Sequence, residues 1–164
     1  MVEAHYRPLY RFAFGLAGDE TQAADLTQQT FYLWALRGHQ LRDGSKAKAW
    51  LFTTLRREFL RGRIRQTRFP HVEFGPWLEE TTAVDANVVN ELDGTEVMRA
   101  LQEVDEIYRE PLLLFYLKDF SYAEIAAALD IRLGTVMSRL SRGKADLRLR
   151  LGLQHDSPKA AAAC

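Results

Sequence analysis

The sequence has little of what a disulfide-bonded, metal-binding or membrane-spanning protein needs. Its one cysteine, Cys164, is the last of 164 residues, which excludes an internal disulfide and a thiolate metal site. The histidines stand singly, so we expect no metal and no cofactor. The longest nearly uninterrupted apolar run, Pro111–Leu117, is far shorter than the roughly 20 residues of a membrane helix, and no secretion signal opens the chain. We therefore expect a cytoplasmic protein without membrane insertion.

Signatures of common catalytic sites are also missing. The chain has no glycine-rich phosphate loop, nucleophile elbow or paired histidines, so we expect that it is not an enzyme. The composition, with 47% hydrophobic and 27% charged residues, is typical of a globular protein and argues against disorder.

The net charge is zero, but charges of one sign are grouped along the chain. Residues 1–70 hold 12 basic and 6 acidic residues, 71–110 hold 2 and 11, and 111–164 hold 8 and 5. An acidic block therefore separates two basic ones, in which arginines cluster further. The clusters are Arg56, Arg57, Arg61, Arg63, Arg65 and Arg68, and Arg132, Arg139, Arg142, Lys144, Arg148 and Arg150. Such clusters are typical of phosphate-binding surfaces, whereas a single cluster is more often a solvated helix face.

Apolar residues recur at helical spacing, which predicts an all-α protein of two small helical domains joined by an acidic linker. The predicted domains are 1–70 and 93–153, with a linker at 71–92 and a flexible tail at 154–164. The first domain has three predicted helices: Val2–Leu16, Glu20–Leu36 capped by Asp19, and a long helix capped by Ser45 and ended by Pro70. Because the first helix starts at residue 2, an N-terminal extension is left open.

The second domain contains a predicted helix-turn-helix. An earlier helix is expected to bury Val97, Leu101 and Val104, and Pro111 is expected in the first turn of the next one. Ser121 and Glu124 then have capping-box spacing, Asp130 suits a tight turn, and a last helix runs from about Thr135 to Arg150. Helix pairs of this kind also occur in proteins that do not bind DNA, so an ordinary charged surface helix is the alternative.

Two longer runs in this region resemble a known family. Residues 120–126 (FSYAEIA) and 131–142 (IRLGTVMSRLSR) are similar to the LSYxEIA and IPxGTVKSRLxR runs of region 4 in extracytoplasmic-function sigma factors. Residues 16–19 (LAGD), 23–31 (AADLTQQTF) and 49–53 (AWLFT) resemble the LTGD, DAEDLxQExF and TWLFxI runs of region 2, in the same order. The chain is identified on these runs as a member of that family.

The resemblance implies the partners. Region 2 is expected to dock on the beta-prime clamp helices of core RNA polymerase and to capture the minus-ten element. Region 4 is expected to bind the beta flap and to read the minus-thirty-five element through its helix-turn-helix. An anti-sigma factor that binds between the domains is a further expected partner, as in many relatives.

The resemblance also implies which residues contact DNA. For the minus-thirty-five element they are Arg132, Thr135, Met137, Ser138, Arg139, Ser141, Arg142 and Lys144. For the minus-ten element they are Lys46, Lys48, Trp50, Arg56, Arg57, Arg61 and Arg63. Relatives hold a flipped base in the loop that corresponds to 38–48. Trp50 also lies on an apolar stripe, so a core role competes with a base-stacking role. Met137, Arg57 and Arg61 differ from the family's usual residues, so the family's promoter preference is not transferred.

The polymerase-docking helix departs from the family in its charge. The residues implied in docking are Asp25, Gln28, Gln29 and Phe31, and Asp25 is the one remaining acid where relatives have several. Our hypothesis is that phosphorylation restores the charge, because a phosphate adds about −1.5 to −2. The candidate sites are Thr21, Thr27 and Thr30. The alternative is that glutamine hydrogen bonds and apolar contacts are sufficient.

Two other functions compete with a sigma factor. A DNA-binding regulator with a similar helix-turn-helix would bind DNA without polymerase, but it leaves the region 2 motifs unexplained. The third possible function is that of an enzyme, and the missing catalytic signatures argue against it.

Overall fold

The computed structural model describes residues 2–68, 95–118 and 120–152, and every regular element in those ranges is helical, which confirms the all-α prediction. The first half contains α1 (Val2–Ala17), α2 (Glu20–Arg37) and α3 (Ala47–Arg68). The second half contains α4 (Thr95–Glu103), α5 (Glu106–Lys118), α6 (Tyr122–Leu129) and α7 (Leu133–Arg150). The expected linker (71–92) and tail (154–164) lie entirely outside these ranges.

Local signals set the turn between α1 and α2 as expected. Gly18 has a φ of 69° and donates its amide to the Phe14 carbonyl at 2.8 Å, which ends α1. Asp19 then accepts a hydrogen bond from the amide of Gln22 at 2.8 Å and caps α2.

The start of α3 differs from the prediction. Ser45 is not its cap; instead, Asp43 accepts from the Ser45 amide at 3.0 Å and from its hydroxyl at 2.6 Å. These bonds begin a 3₁₀ turn, Gly44–Lys46, that continues into α3. A second 3₁₀ turn, Gly38–Gln40, follows α2, so the connection is short and ordered by its own hydrogen bonds.

Two expectations for the second half are wrong. Helix α5 begins at Glu106, because the Asp105 carbonyl and carboxylate already accept amides of that turn, and Pro111 therefore lies inside the helix. The second expectation is wrong for one residue of three: Leu101 and Val104 are buried as predicted, but Val97 is 40% exposed and its neighbour Met98 is buried instead.

The helix-turn-helix forms as predicted. Ser121 Oγ accepts from the Glu124 amide at 3.2 Å, and the Glu124 carboxylate accepts from the Ser121 amide at 2.7 Å. Asp130 adopts a left-handed φ of 54° and turns the chain into α7, which starts at Leu133 rather than Thr135. Val136 is fully buried between the two helices.

The two halves of the chain share one hydrophobic core. Phe120 of the second half lies against Phe52 of α3, with ring centroids 5.1 Å apart. Leu113 packs so closely on Gly15 that a Cβ there would lie 2.5 Å from a leucine methyl carbon. The Gln102 side-chain amide donates to the carbonyl of Gly15 at 2.9 Å, at the end of α1. The halves are thus packed together rather than merely joined by a linker.

None of the helices in the described ranges combines the length and the apolar character needed to cross a bilayer.

Candidate nucleic-acid interface

Helix α7 has one buried face and one small, polar outer face. Its buried residues are Val136, Leu140, Gly143 and Leu147. Gly143 lets α5 approach, because a Cβ there would lie 2.9 Å from Leu112. By the helical repeat of about 3.6 residues per turn, the opposite face carries Gly134, Ser138, Ser141 and Ala145, with Arg142 beside them. Small side chains on this face allow the α7 backbone to come close to a partner surface.

The charges along α7 favour a polyanion. Residues 131–145 contain four basic residues and no acidic one, and Arg132 and Arg142 are exposed without an ion-pair partner in the described part of the chain. Lys144 instead lies over the ring of Phe115, 4.4 Å from its centroid. Arg150 is occupied further along the helix by Asp146 and Glu103, at 3.1 and 3.2 Å. Three basic residues are therefore exposed with no ion pair among the described residues: Arg132 at the N-cap of α7, Arg142 near its middle and Arg148 near its end.

Of the eight residues expected for the minus-thirty-five element, five are exposed and three are half-buried. The exposed ones are Arg132, Met137, Ser138, Ser141 and Arg142, and the half-buried ones are Thr135, Arg139 and Lys144. The Ser138 hydroxyl donates to the Thr135 carbonyl at 3.1 Å, so in this structure its hydrogen serves the helix backbone.

The residues expected for the minus-ten element divide between two faces of α3. One face points to the second half of the chain and forms three ion pairs with carboxylates of that half. Arg56 Nε lies 3.0 Å from Glu110 Oε2, and Lys48 Nζ lies 3.8 Å from Glu124 Oε1.

The third ion pair joins Arg63 to Glu106. In this arrangement Lys48, Arg56 and Arg63 neutralise carboxylates of the same chain. Their contact with promoter phosphates stays a prediction, and it would have to compete with these ion pairs.

The Arg56–Glu110 pair is the most enclosed of the three, with side-chain exposures of 22% and 6%. Burial raises the pKa of the Glu110 carboxyl, and the attraction of Arg56 opposes this rise without cancelling it. Arg56 is thus the main positive charge that favours the ionised form of Glu110, with Arg139 adding a weaker attraction, and the ion pair connects α3 to α5.

The other face of α3 lines a polar cavity of about 330 Å³. Arg57 and Arg61 project into it from α3, and Arg37, Gln40 and Leu41 close it from the end of α2 and the following turn. The cavity therefore lies where the short connection between α2 and α3 meets the helix surface.

The aromatic wall of this cavity is Trp50. Its ring is half-buried and packs edge-on against Trp34, with centroids 5.2 Å apart. Trp50 is thus both packed on the core and open to the cavity, so the two roles weighed for it are compatible. Lys46 is exposed in the neighbouring 3₁₀ turn.

A second, larger and mainly apolar groove of about 610 Å³ runs between α2 and α3. Asp25, Gln28 and Gln29, three of the residues expected to dock on polymerase, line it together with Tyr32. Burial and the nearby charge of Asp19 raise the pKa of Asp25, so this remaining acid is less readily ionised than usual.

Phe31, the fourth residue expected to dock on polymerase, does not line this groove. Its ring is half-buried and stacks on Tyr6 of α1 at 6.1 Å between centroids, so it is a packing residue.

The hypothesis of phosphorylation at Thr27 and Thr30 is wrong for this fold. Both threonines are fully buried, and their hydroxyls donate to the carbonyls of Ala23 and Leu26, each at 2.7 Å. A phosphate would have neither room nor solvent there. Thr21 is exposed in the first turn of α2 and stays a candidate.

Sequence reasoning missed several residues of these surfaces. Tyr32 is 59% exposed at the groove, and Arg37 and Gln40 line the polar cavity. An aromatic residue on the exposed side of a polar helix was an available signal for Tyr32. Nothing in the linear pattern indicated that Glu106 and Glu110 would face the arginines of α3.

Comparison with known proteins agrees with both halves of this description. Residues 1–69 match the family described as Sigma-70 region 2, and residues 95–147 match Sigma-70, region 4. The ECF RNA polymerase sigma factor SigE of Mycolicibacterium smegmatis is 32% identical over 168 residues, covering 99% of this chain and 64% of the relative. SigL of Mycobacterium tuberculosis is 32% identical over 156 residues, covering 92% and 86%.

A solved structure has the same arrangement of helices. The sigma factor RpoE of Bartonella quintana, in complex with the anti-sigma factor NepR, superposes with a TM-score of 0.76 and 29% identity over 94% of this chain and 96% of that one. This chain spans just under two thirds of SigE and most of SigL and RpoE. The chain therefore belongs to the extracytoplasmic-function group of RNA polymerase sigma factors, the subunits that bind core polymerase and direct it to promoters.

Proposed function

We propose that this sigma factor reads the minus-thirty-five element with the exposed face of α7. The observation that carries the proposal is the set of unpaired cations and small polar side chains on the outer face of the second helix of a helix-turn-helix. Helices in this position enter the major groove with their N-terminal residues. Arg142 supplies donors for a base edge or a phosphate, and Ser141 adds a hydroxyl.

The minus-ten element binds at the polar cavity beside Trp50. A base that leaves the stack needs an aromatic surface and cationic groups near its phosphates, and the Trp50 ring, Arg57 and Arg61 lie together there. Arg61 pairs with Glu58 of the same cavity at 3.0 Å, whereas Arg37 and Arg57 have no ion pair among the described residues. Exposed Lys46 extends the basic surface along the loop. Arg56 and Arg63, held in ion pairs on the opposite face, support the fold instead.

Core polymerase binds the groove between α2 and α3. The beta-prime clamp helices contact Asp25, Gln28 and Gln29, and the exposed Tyr32 ring provides an apolar anchor beside them. The beta flap binds the region 4 half. Because most contacts of this groove are uncharged, the affinity depends on apolar burial more than on ion pairs.

Phosphorylation of Thr21 strengthens this docking. Thr21 is exposed in the first turn of α2, where a negative charge is favourable near the helix N-terminus. Thr21→Glu is expected to raise the affinity for core polymerase relative to Thr21→Gln, which has similar size and no charge. Equal affinities of the two variants would exclude a role for charge at this position.

An anti-sigma factor is a further partner in this proposal, since the Bartonella quintana structure is that of a sigma factor with its anti-sigma factor. The protein acts in the cytoplasm, where polymerase and promoters are, and it has no catalytic activity of its own.

The proposal is tested by in vitro transcription with purified core polymerase. Promoter-dependent transcripts are expected from the wild type. DNA binding without transcripts would favour a conventional DNA-binding regulator instead.

The minus-ten assignment is tested with Arg57→Ala and a matched control, Arg65→Ala, which removes an exposed arginine of the same helix outside the cavity. We expect Arg57→Ala to co-elute with polymerase but to lose permanganate-reactive thymines in the minus-ten region, and Arg65→Ala to keep both properties. Loss of strand opening in both variants alike would remove the cavity from the site.

A further inference from the structure

Two large apolar side chains project from the first two turns of α7. Leu133 is 50% exposed and Met137 is 53% exposed. They are four residues apart, so they lie next to each other on the helix surface. They flank the buried stripe, whose first member is the fully buried Val136.

Neither side chain belongs to the hydrophobic core or to the partly buried residues packed against it. Gly134 between them has open space around it, with no atom within 4 Å of the position of a Cβ. Single exposed apolar residues are common and need no explanation. An adjacent pair at the groove-reading end of a recognition helix is a different case, because desolvation on binding would be favourable there.

In the major groove of DNA, a base pair presents at most one apolar group. Only thymine presents a methyl group there, at C5, while the other base edges present hydrogen-bond donors and acceptors. An apolar side chain in the groove therefore discriminates thymine by contact with this methyl group. A methionine suits such a contact because its thioether chain is flexible and adapts to the position of the base.

We propose that Leu133 and Met137 determine promoter specificity by contacting the 5-methyl group of a thymine in the minus-thirty-five element. This inference rests on the proposed placement of α7 in the major groove. The Met137 side chain contacts the methyl group, and the Leu133 side chain shields the Met137 side chain from water.

The surroundings favour DNA over a protein as the occupant of this pair. Arg132 lies beside Leu133, Arg142 lies about one and a half turns beyond Met137 and further round the helix, and no acidic residue occurs between positions 131 and 145. An apolar pair near cations and small polar side chains is complementary to DNA, which is a polyanion and presents the thymine methyl group in its major groove.

The test replaces each thymine of the minus-thirty-five element in turn by deoxyuridine. Uracil keeps the pairing and the O4 acceptor and lacks only the methyl group. The element is first obtained by selecting random-sequence duplexes with the wild-type holoenzyme, and binding is then measured by gel shift. Loss of one buried methyl contact corresponds to about a fourfold weaker affinity.

We expect one thymine whose replacement weakens binding of the wild type about fourfold and leaves Met137→Ala binding unchanged. Leu133→Ala is expected to reduce the response partly. The matched control is Leu149→Ala, which removes an apolar side chain of the same helix that is 77% exposed at its other end, and it keeps the full response. Urea unfolding checks that the substitutions leave the fold intact, because these side chains are largely outside the core.

Three results would overturn the inference: a selected element without thymine, tolerance of every deoxyuridine by the wild type, or an unchanged response in Met137→Ala. A lower affinity of Met137→Ala for core polymerase without DNA, together with no uracil effect, would assign the pair to a protein contact. If the placement of α7 itself is wrong, Arg142→Ala will also leave promoter binding unchanged, which separates the two failures.

Discussion

The ion pair between Arg56 and Glu110 joins the two halves of the chain, and its removal should be costly in an asymmetric way. Arg56→Ala leaves a carboxylate that is 94% buried without its cation, whereas Glu110→Gln leaves a guanidinium that is 22% exposed and can be solvated. Glutamine also keeps an oxygen that can accept from Arg56 Nε. We therefore expect the arginine substitution to be the more destabilising of the two.

The magnitude follows from the burial of each partner. Removing one member of a fully buried ion pair costs about 3 to 5 kcal/mol. Because water reaches part of Arg56, we expect about 2 to 3 kcal/mol for Arg56→Ala and about 1 kcal/mol or less for Glu110→Gln. In a double-mutant cycle the combined variant should be more stable than the sum of the two losses predicts.

The pH dependence gives an independent check. The folded-state pKa of Glu110 is already raised by burial, and loss of Arg56 raises it further. A carboxyl with a raised folded-state pKa favours folding when protonated. Its contribution to stability is therefore present below the unfolded value of about 4.3 and is lost as the pH rises through the folded value. The deficit of Arg56→Ala relative to the wild type should shrink as the pH falls from 7 toward 5.

The assay is urea unfolding of the wild type, both single variants and the double variant at pH 7 and pH 5, followed by circular dichroism. Equal losses for Arg56→Ala and Glu110→Gln at pH 7 would refute the assignment of Glu110 as a buried, charge-dependent group. A deficit of Arg56→Ala that grows at pH 5 would refute the sign of the argument.

Three further substitutions test packing, capping and helix propensity by the same unfolding assay. Gly15→Ala should lose about 1 to 3 kcal/mol, because the new Cβ meets fully buried Leu113, and combined with Leu113→Ala the total loss should be smaller than the sum of the two single losses. Ser121→Ala should lose about 1 kcal/mol through the capping box of α6, and a variant as stable as the wild type would contradict the role of this cap. Gly134→Ala should gain up to about 1 kcal/mol, because its surroundings are open and alanine favours the helix, so a loss of stability would mean that the site is tighter than described.

The helices and the helix-turn-helix followed from short-range patterns. The capping box at Ser121 and Glu124, the left-handed turn at Asp130 and the cap at Asp19 involve groups within four residues of one another. Their physics is local, so the residues alone were sufficient to predict them. The start of α5 at Glu106 was missed because Pro111 was assigned to a first turn that Asp105 already provides one turn earlier.

The roles of individual side chains on a helix were less predictable. Thr27 and Thr30 are polar and were expected on the surface, but each satisfies its hydroxyl with a carbonyl four residues earlier and so tolerates full burial. Phe31 was assigned to docking, and the structure shows that its half-buried ring also stacks on Tyr6. In both cases the deciding contact comes from α1 or from the helix backbone, which the residue type does not reveal.

By itself, the sequence determined the helical class, the segregation of charge and the recognition helix, because each is a property of neighbouring residues. Only the tertiary structure decided that α3 uses Arg56 and Arg63 for the fold and leaves Arg57 and Arg61 at a cavity. All four arginines belong to one helix, and the helical repeat places Arg56 and Arg63 on one face and Arg57 and Arg61 on another, but it does not say which face is covered. The difference arises from which side of α3 is covered by α5, and that depends on long-range packing between halves of the chain.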